Sequence, residues 1–301
     1  MELAAGKVAV VTGAASGIGR ALVERFASAG LHVALADVDD AGLAEVADAA
    51  RARGVDALTV RTDVSSADSV EALAAATYER FGRADVVCNN AGVASSADPW
   101  FGPLSTWEWV LGVNLWGVVH GVRTFLPRMI AQGGGHIVNT ASIAGLHPGF
   151  GPSYDASKHA VVALTEDLYV SMTTAGLPIG VSVLCPGWVR TKIMDADRNW
   201  PSELGQRPAD AFGTEVVRKH VVRAIDEGIT PAAVADLVAD AVGRNRFWVF
   251  PHPDFVELAV RRWHGIAEGR DPELMVDTPG LPPAAQIMAE VAALLTPPAA
   301  S

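Results

Sequence analysis

Two kinds of hydrophobic pattern alternate along the first 250 residues. Short apolar runs, each typical of a buried strand, are followed by longer segments with helical spacing. The first run, at 7–13, ends in glycine, and in 16–30 the apolar residues from Ile18 to Phe26 share one side of a predicted helix that stops at Gly30. Further apolar runs predict strands at 32–39, 56–64, 84–92, 135–142, 179–187 and 246–250.

Helices are predicted between these strands. They lie at 40–54, 65–82, 104–132, 153–175 and near 231–243. Uninterrupted alternation of strands and helices is typical of a parallel sheet with helices on both faces. We therefore predict an α/β fold with three layers, α/β/α, built on a doubly wound parallel sheet of about seven strands over residues 1–255.

Two segments depart from this alternation. Residues 192–228 hold no clear strand, and a long insert of this kind is usually a lid or a binding loop. Residues 256–301 form a predicted helical or irregular extension, with one short helix in a part rich in Pro, Ala and Gly.

A glycine turn joins the first strand to the first helix, with the sequence TGAASGIG at 12–19. Gly13 permits a sharp turn, Gly17 permits close approach of a ligand, and Gly19 lets the helix pack on the sheet. Together with Ser16 and Ile18 at the helix start, they predict a pyrophosphate site. The alternative is an ordinary tight turn, but a strand before and a helix after are the context that a dinucleotide site requires.

An acidic residue, Asp37, ends the second strand 18 residues beyond Gly19. A carboxylate at this place accepts hydrogen bonds from the adenosine ribose and repels a 2′-phosphate. None of the neighbouring Ser16, Ala36 and Val38 is basic, so NAD(H) is favoured over NADP(H) as the cofactor.

Polar residues also follow the third and fourth strands, at the sheet edge where a cofactor would lie. Asp63 with Val64 is predicted to reach the adenine amino group. Asn90, Ala91 and Gly92 are predicted to border the adenosine ribose.

Tyr154 and Lys158 are four positions apart and project from the same face of a predicted helix. A free phenol has a pKa of about 10, and lowering it by about three units requires about 4 kcal/mol. An ammonium about 4 Å away supplies about this amount at an effective dielectric constant of about 20. The positive nicotinamide of NAD⁺ would add to this effect, so we expect Tyr154 to form a phenolate near neutral pH and to take the proton of an alcohol.

Two further polar residues complete the candidate catalytic set. Ser142 ends a strand, where its hydroxyl would hold the substrate oxygen. Asn114 lies in the middle of a predicted helix, where it would hold a water that connects Lys158 to solvent. The alternative for Asn114 is a local hydrogen bond to a helix carbonyl.

Taken together, these motifs strongly resemble the short-chain dehydrogenase/reductase family, in its compact single-domain branch. The motifs are TGAASGIG (12–19), NNAG (89–92), Asn114, Ser142, Tyr154-x-x-x-Lys158 and Pro186-Gly187. The resemblance implies a Rossmann fold, hydride transfer and a catalytic tetrad of Asn114, Ser142, Tyr154 and Lys158, with Tyr154 and Lys158 also contacting the cofactor.

The same resemblance carries further expectations. Lys158 would hold the nicotinamide ribose, and Pro186, Gly187, Val189 and Thr191 would border the nicotinamide carboxamide. Members usually form homodimers or homotetramers through the helices that here carry Asn114 and Tyr154. The extension departs from the pattern, because many members end just after the last strand.

The expected substrate is a bulky hydrophobic secondary alcohol or its ketone. The candidate pocket is lined by Ile143, His147, Phe150, Trp188 and Met194, which are mostly large and apolar. The segments GVNLWGVVHGVRTFLPRMI and FWVFPHP are similar to members that oxidise aryl or terpenoid alcohols.

Three other functions are compatible with parts of the pattern. The first is a carbonyl reductase that works mainly in the reductive direction. The second is a non-catalytic NAD-sensing regulator, which the filled tetrad disfavours. The third is a sugar epimerase or dehydratase, which would need a larger carboxyl-terminal sugar-nucleotide domain.

Composition excludes several classes of partner. The net charge of −11 without a basic cluster argues against nucleic acid and anionic membrane surfaces, and no run of 18 apolar residues or secretory signal is visible. Cys88 and Cys185 are expected to be reduced and buried in a cytoplasmic protein. The scattered histidines predict no metal site.

Overall fold

Seven parallel strands form one sheet in the computed structural model, which describes residues 2–295. Met1 and residues 296–301, the end of the predicted extension, lie outside the described residues. The strands, β1 to β7, are Val8–Thr12, His32–Asp37, Ala57–Arg61, Val86–Asn89, Gly135–Thr140, Ile179–Leu184 and Trp248–Val249. Their order in the sheet is β3-β2-β1-β4-β5-β6-β7, so the predicted doubly wound fold is confirmed.

Helices cover both faces of this sheet. The helices, α1 to α10, are Gly17–Ser28, Asp40–Arg51, Ala67–Phe81, Ser105–Leu111, Gly117–Ala131, Pro152–Thr174, Thr214–Asp226, Pro231–Arg244, Asp254–Ala267 and Ala284–Ala293. Short 3-10 segments lie at Ile143–Gly145, Ile193–Asn199 and Ser202–Leu204, and a π-helical segment, Gly112–Trp116, joins α4 to α5.

Alternate residues of the strands build two separate cores. Val11 of β1 packs with Phe26 of α1 and Val238 of α8 on one face of the sheet. Its neighbour Val10 packs on the other face with Phe125 of α5. Because side chains alternate along a strand, a strand buried on both faces must be apolar throughout, which explains the continuous apolar runs in the sequence.

The order of strand addition reverses at β1, which pairs with β2 on one side and with β4 on the other. Helices therefore leave the sheet in opposite directions on the two sides of this point, and a crevice opens at the carboxyl ends of the strands. Thr12, Asn89 and Thr140 end β1, β4 and β5 at this edge.

Several predicted boundaries differ from the observed elements. The last strand is limited to Trp248–Val249, because it pairs only with Val183 and Leu184 at the sheet edge. The predicted strand at 135–142 ends at Thr140, which places Ser142 in the following loop. The insert at 192–228, expected to be irregular, contains the 13-residue helix α7.

The carboxyl-terminal extension is mainly helical in its described part. The expected domain boundary at residue 255 falls inside α9, where Phe255 is buried beside Ile143. Within residues 2–295, no helix is both long enough and apolar enough to cross a membrane.

Candidate active site

The glycine turn adopts a backbone that other residues would strain. Gly13 and Gly17 have φ angles of +67° and +54°, in the left-handed region that glycine tolerates. A side chain at Gly13 would begin 2.8 Å from the Cα of Ala91, and one at Gly19 would overlap the carbonyl oxygen of Gly13. The turn is therefore tight enough to bring the start of α1 to the edge of the crevice.

The amino terminus of α1 is available to an anion. Ser16 occupies the N-cap position but makes no side-chain cap hydrogen bond, and the first turn holds no acidic residue. The first N–H groups of a helix carry a partial positive charge and bind phosphate well. A side chain at Gly17 would begin 3.1 Å from the methyl group of Thr191. The segment 186–191 thus approaches the glycine turn, as its predicted role requires.

Asp37 ends β2 directly beside the glycine turn. Its carboxylate accepts hydrogen bonds from the backbone N–H of Ala15, at 3.0 Å, and of Val38, at 2.8 Å. The N–H of Asp39 contacts the same carboxylate at 3.1 Å. These bonds fix the negative charge at the second strand end, and a carboxylate has further acceptor capacity for a ribose hydroxyl.

Asn90 ties three strand ends together. Its backbone N–H donates to Thr12 Oγ1 at 2.9 Å, and its amide donates to the Thr12 carbonyl at 3.0 Å. Its amide oxygen accepts from Thr140 Oγ1 at 3.2 Å, and the N–H of Ala91 also donates to Thr12 Oγ1. Asn90 and Ala91 therefore line the crevice as a rigid cross-link between β1, β4 and β5.

Asp63 and Val64 lie at the outer end of the crevice. The Asp63 carboxylate accepts hydrogen bonds from the N–H and the hydroxyl of Ser65, so it shapes its own turn. Val64 is buried, and its carbonyl accepts a hydrogen bond from His120 Nδ1 at 2.9 Å. The predicted contact of Asp63 with adenine stays a prediction.

Tyr154 and Lys158 project from the first turns of α6, which begins at Pro152 after Gly151. The Lys158 ammonium is buried, donates a hydrogen bond to the Thr140 carbonyl at 3.0 Å, and lies 5.5 Å from the centroid of the Tyr154 ring. The predicted pair therefore lies together at the end of β5, inside the crevice.

The acidity expected for Tyr154 includes the charge of bound NAD⁺ and stays a prediction. Burial raises its pKa to about 12, because removing a phenolate from water costs more than the hydrogen bond with the Ser142 side chain returns. Burial likewise lowers the pKa of Lys158 to about 8, because it disfavours the charged ammonium. Tyr154 is thus a protonated phenol at neutral pH before any cofactor binds.

Ser142 lies within hydrogen-bonding reach of Tyr154, in an extended backbone at the start of the Ile143–Gly145 turn. Its hydroxyl accepts a hydrogen bond from Ala144 N–H at 3.1 Å and is 3.3 Å from the carbonyl of Pro186. The turn and the 186–191 segment therefore both hold the Ser142 hydroxyl beside the phenol.

Asn114 lies in the π-helical segment between α4 and α5 and is fully buried. Its amide oxygen accepts from Val93 N–H at 2.8 Å, and its amide nitrogen donates to the Val93 carbonyl and to Ser157 Oγ. A local bond to a carbonyl of its own helix was the alternative expectation, and it is wrong, since these partners lie elsewhere. A side chain at Gly92 would begin 3.5 Å from Asn114 Oδ1 and 3.6 Å from Lys158 Nζ, so Gly92 keeps this space open.

His252 is a site residue that sequence reasoning missed. Its Nδ1 accepts a hydrogen bond from Gly187 N–H at 3.0 Å, and its Nε2 donates to the Trp188 carbonyl at 2.9 Å. Burial lowers the pKa of His252, which keeps the ring neutral and able to make both bonds. Together with Val189, which is buried and bridged to Ile229, the ring fixes the segment expected to hold the carboxamide.

His252→Ala is expected to raise the KM for the dinucleotide several-fold, because Gly187 and Trp188 lose their shared anchor. Steady-state kinetics with varied dinucleotide measure the effect. His264→Ala, in the exposed part of α9, is the matched control. An unchanged KM in His252→Ala would show that the 186–191 segment holds its position without the ring.

The predicted pocket residues are only partly brought together. Ile143, Phe150 and Trp188 belong to one cluster, in which the Phe150 and Trp188 rings are 5.8 Å apart. His147 follows Ile143 by one turn and is partly buried, and burial lowers its pKa. Met194 lies in the insert, outside that cluster as far as residues 2–295 show, and its carbonyl accepts a hydrogen bond from Arg218.

Fold and site define the class of protein: a doubly wound α/β sheet with a dinucleotide turn and a Ser-Tyr-Lys cluster at one crevice. A family model described as short chain dehydrogenase matches residues 7–202. The chain belongs to the short-chain dehydrogenase family, whose relatives are oxidoreductases that act on CH–OH groups.

Individual relatives support this assignment. The chain is 39% identical to 1-deoxy-11-beta-hydroxypentalenate dehydrogenase of Streptomyces avermitilis over 82% of this chain and 84% of that one. It is 33% identical to the CLA biosynthesis dehydrogenase/reductase of Lactiplantibacillus plantarum over 90% and 96%. A short-chain dehydrogenase/reductase of Burkholderia phymatum, solved in complex with NAD, superposes with a TM-score of 0.88 at 42% identity, over 92% of this chain and 100% of that one.

Proposed function

We propose that this protein is an NAD-dependent oxidoreductase that interconverts a bulky hydrophobic secondary alcohol and its ketone, with Tyr154 as general base and acid. The observation that carries the proposal is the placement of Tyr154, Lys158 and Ser142 at the crevice that the glycine turn and Asp37 also border. The Burkholderia phymatum neighbour binds NAD at the same fold, and the Streptomyces avermitilis relative is named for dehydrogenating a hydroxylated substrate.

The residues present fit NAD. Gly13 and Gly17 leave room for a pyrophosphate at α1, and Asp37 offers a carboxylate to the adenosine ribose. The space kept by Gly92 lies beside Lys158, which would hold the nicotinamide ribose. Bound NAD⁺ supplies the acceptor for the hydride of the alcohol.

The chain's own residues handle the proton. In the oxidative direction the Tyr154 phenolate takes the hydroxyl proton of the alcohol, and in the reductive direction the Tyr154 phenol returns it to the carbonyl oxygen. The Ser142 hydroxyl holds that oxygen beside Tyr154. The Lys158 ammonium stabilises the phenolate. The Thr140 carbonyl accepts a hydrogen bond from this ammonium, and Asn114 is held in place by its hydrogen bond to Ser157.

The proposal is tested with a panel of secondary alcohols and ketones, offered with NAD⁺ or NADH and followed at the nicotinamide absorbance band. We expect turnover of lipophilic, ring-containing compounds at higher kcat/KM than of short-chain alcohols. Binding of NADH with no turnover of any compound would refute the enzyme and favour a sensing role.

The pH dependence should have opposite signs in the two directions. Oxidation needs the phenolate, so its kcat/KM should rise up to about tenfold per pH unit below the Tyr154 pKa in the complex. Reduction needs the phenol, so its kcat/KM should fall as pH rises through that pKa. A carbonyl reductase that works mainly in the reductive direction is the second candidate, because the Lactiplantibacillus plantarum relative is named a dehydrogenase/reductase. Profiles of both directions in one buffer series test this role of Tyr154, and parallel profiles would contradict it.

We also propose assembly into a homodimer or homotetramer through the helices that carry Asn114 and Tyr154. Trp116, at the end of the π-helical segment, is 53% exposed, and α6 exposes Val170. Large exposed apolar side chains of this kind are typical of an interface.

Trp116→Glu is expected to shift the wild-type assembly towards monomers, because it places a charge in that interface. Sedimentation velocity measures the mass. Leu237→Glu, on α8 at the opposite face of the sheet, is the control that should keep the wild-type mass. A monomeric wild type, or an assembly that Trp116→Glu leaves intact, would refute this interface.

The compartment we propose is the reducing cytoplasm. Cys88 and Cys185 are both free thiols buried in the core. Burial raises the pKa of Cys185 to about 12, so its thiol is unreactive although it lies beside Lys158.

A further inference from the structure

The segment between α9 and α10 returns to the candidate active site. The indole Nε1–H of Trp188 donates a hydrogen bond to the carbonyl of Pro279 at 2.7 Å. The next residue, Gly280, has a φ angle of +81°, and a side chain there would begin 2.9 Å from Trp188 Cδ1. The backbone at 279–280 therefore lies directly against the Trp188 ring, and only glycine permits this contact.

Val276 extends the same contact towards the catalytic residues. It packs on the cluster of Ile143, Phe255 and Leu258, which Phe150 and Trp188 also join. Ile143 directly follows Ser142, and Trp188 directly follows Gly187, so this cluster adjoins both the substrate hydroxyl position and the carboxamide segment. Val276 is partly exposed, so it presents apolar surface as well as contributing to packing.

Helix α10 is attached to the body of the protein independently. His220 of α7 contacts Glu290 of α10, with 2.9 Å between Nε2 and Oε2, and this hydrogen bond lowers the pKa of the Glu290 carboxyl. A side chain at Gly213 would begin 2.7 Å from Val291, so α10 lies close against the start of α7. Val276 is thus held by its packing on the Ile143 cluster and residues 279–280 by Trp188, while α7 holds the helix that follows them.

We propose that residues 276–280 form a fixed outer wall of the substrate site, with Val276 as the residue that limits substrate size. This inference rests on the proposed function, since it concerns the same alcohol or ketone. The apolar part of the wall is the Val276 side chain, which packs on a cluster that includes the Phe150 and Trp188 rings, so it would take the hydrocarbon part of a ring-containing substrate while Ser142 and Tyr154 hold its oxygen. A wall of this kind selects by shape, and one added or missing carbon in an apolar pocket changes kcat/KM by about 10- to 200-fold.

The test compares two ketones of different size, β-tetralone and cyclohexanone, with NADH. Val276→Phe narrows the site and is expected to lower the kcat/KM for β-tetralone at least tenfold, while cyclohexanone changes less than twofold. Val276→Ala removes contacts and is expected to raise the KM for β-tetralone several-fold. Leu274→Phe is the matched control, because Leu274 lies two residues away and is 96% exposed.

A second measurement does not depend on turnover. Calorimetry of β-tetralone binding to the NAD⁺ complex, which holds no hydride for the ketone, should show the same loss in Val276→Phe relative to Leu274→Phe. Equal affinities in the two variants, or no binding of β-tetralone to the wild type, would refute the proposal that residues 276–280 line the substrate site. If Val276→Phe loses affinity for β-tetralone but the wild type turns over no ketone, the wall is supported and the proposed function is refuted. The failure of the wall and the failure of the proposed function are therefore distinguishable. A melting temperature unchanged from wild type confirms that Val276→Phe folds.

Discussion

Tyr154→Phe is expected to lower kcat by about 10²- to 10⁴-fold in both directions, the range that general acid–base catalysis contributes. The substitution removes only the phenolic oxygen, which is the atom that would exchange the proton with substrate. The ring is retained, so the packing of α6 and the position of Lys158 at the Thr140 carbonyl should not change. The KM for NADH should therefore stay within about twofold, because Tyr154→Phe removes a contribution to the transition state rather than to cofactor binding.

Tyr169→Phe is the matched control for this experiment. Tyr169 lies on the same helix but is partly exposed and packs against Phe247, away from the crevice. It should keep wild-type kcat and wild-type pH dependence. Full activity in Tyr154→Phe, or an equal loss in both variants, would contradict the role of Tyr154 as the proton carrier. Residual activity that no longer depends on pH would support it.

The sequence predicts the crevice well because its residues lie at strand ends. A parallel strand buried on both faces is recognisable from its own residues, and the topology then brings all carboxyl ends to one edge. Asp37 is the last residue of β2 and Asn90 directly follows β4, and the fold places both at that edge. Tyr154 and Lys158 are equally local, since one helix turn relates them.

Residues whose contacts cross the chain are not predictable in this way. His252 contacts Gly187 over 65 positions, and Trp188 contacts Pro279 over 91. The hydrophobic pattern that predicts strands and helices gives no signal at His252 or at Pro279. Their roles depend on how α9 and the extension pack against the sheet, which only the folded chain determines.

Burial opposes the acidity that the sequence predicts for Tyr154. Reasoning from the sequence counted a cation four positions away, which is a local feature. It did not count desolvation, which depends on every element around the phenol and raises the pKa of Tyr154 to about 12. The π-helical segment around Asn114 was missed for a related reason, because the hydrophobic pattern of a continuous helix does not reveal a single widened turn.

We propose that the choice between NAD and NADP depends on a single carboxylate, that of Asp37. Asp37 is anchored by Ala15 and Val38 at the end of β2, so it cannot move far from an adenosine sugar bound at the glycine turn. A 2′-phosphate there would meet a like charge in a partly exposed site, where solvent screens part of the repulsion. We expect the wild type to prefer NAD⁺ over NADP⁺.

Asp37→Asn should lower that preference by about ten- to hundredfold, measured as the ratio of kcat/KM for NAD⁺ to kcat/KM for NADP⁺ with one alcohol. The like charge disappears, and the hydrogen bonds that the ribose hydroxyls made to a charged acceptor, worth about 1.5–3 kcal/mol, weaken at the same time. An amide oxygen still accepts the Ala15 N–H, so the glycine turn should keep its shape. Asp48→Asn, on the exposed face of α2, is the control and should leave the ratio unchanged. A ratio that is the same in wild type and Asp37→Asn would mean that the adenosine ribose lies elsewhere, and the position of the dinucleotide at this crevice would then have to be abandoned.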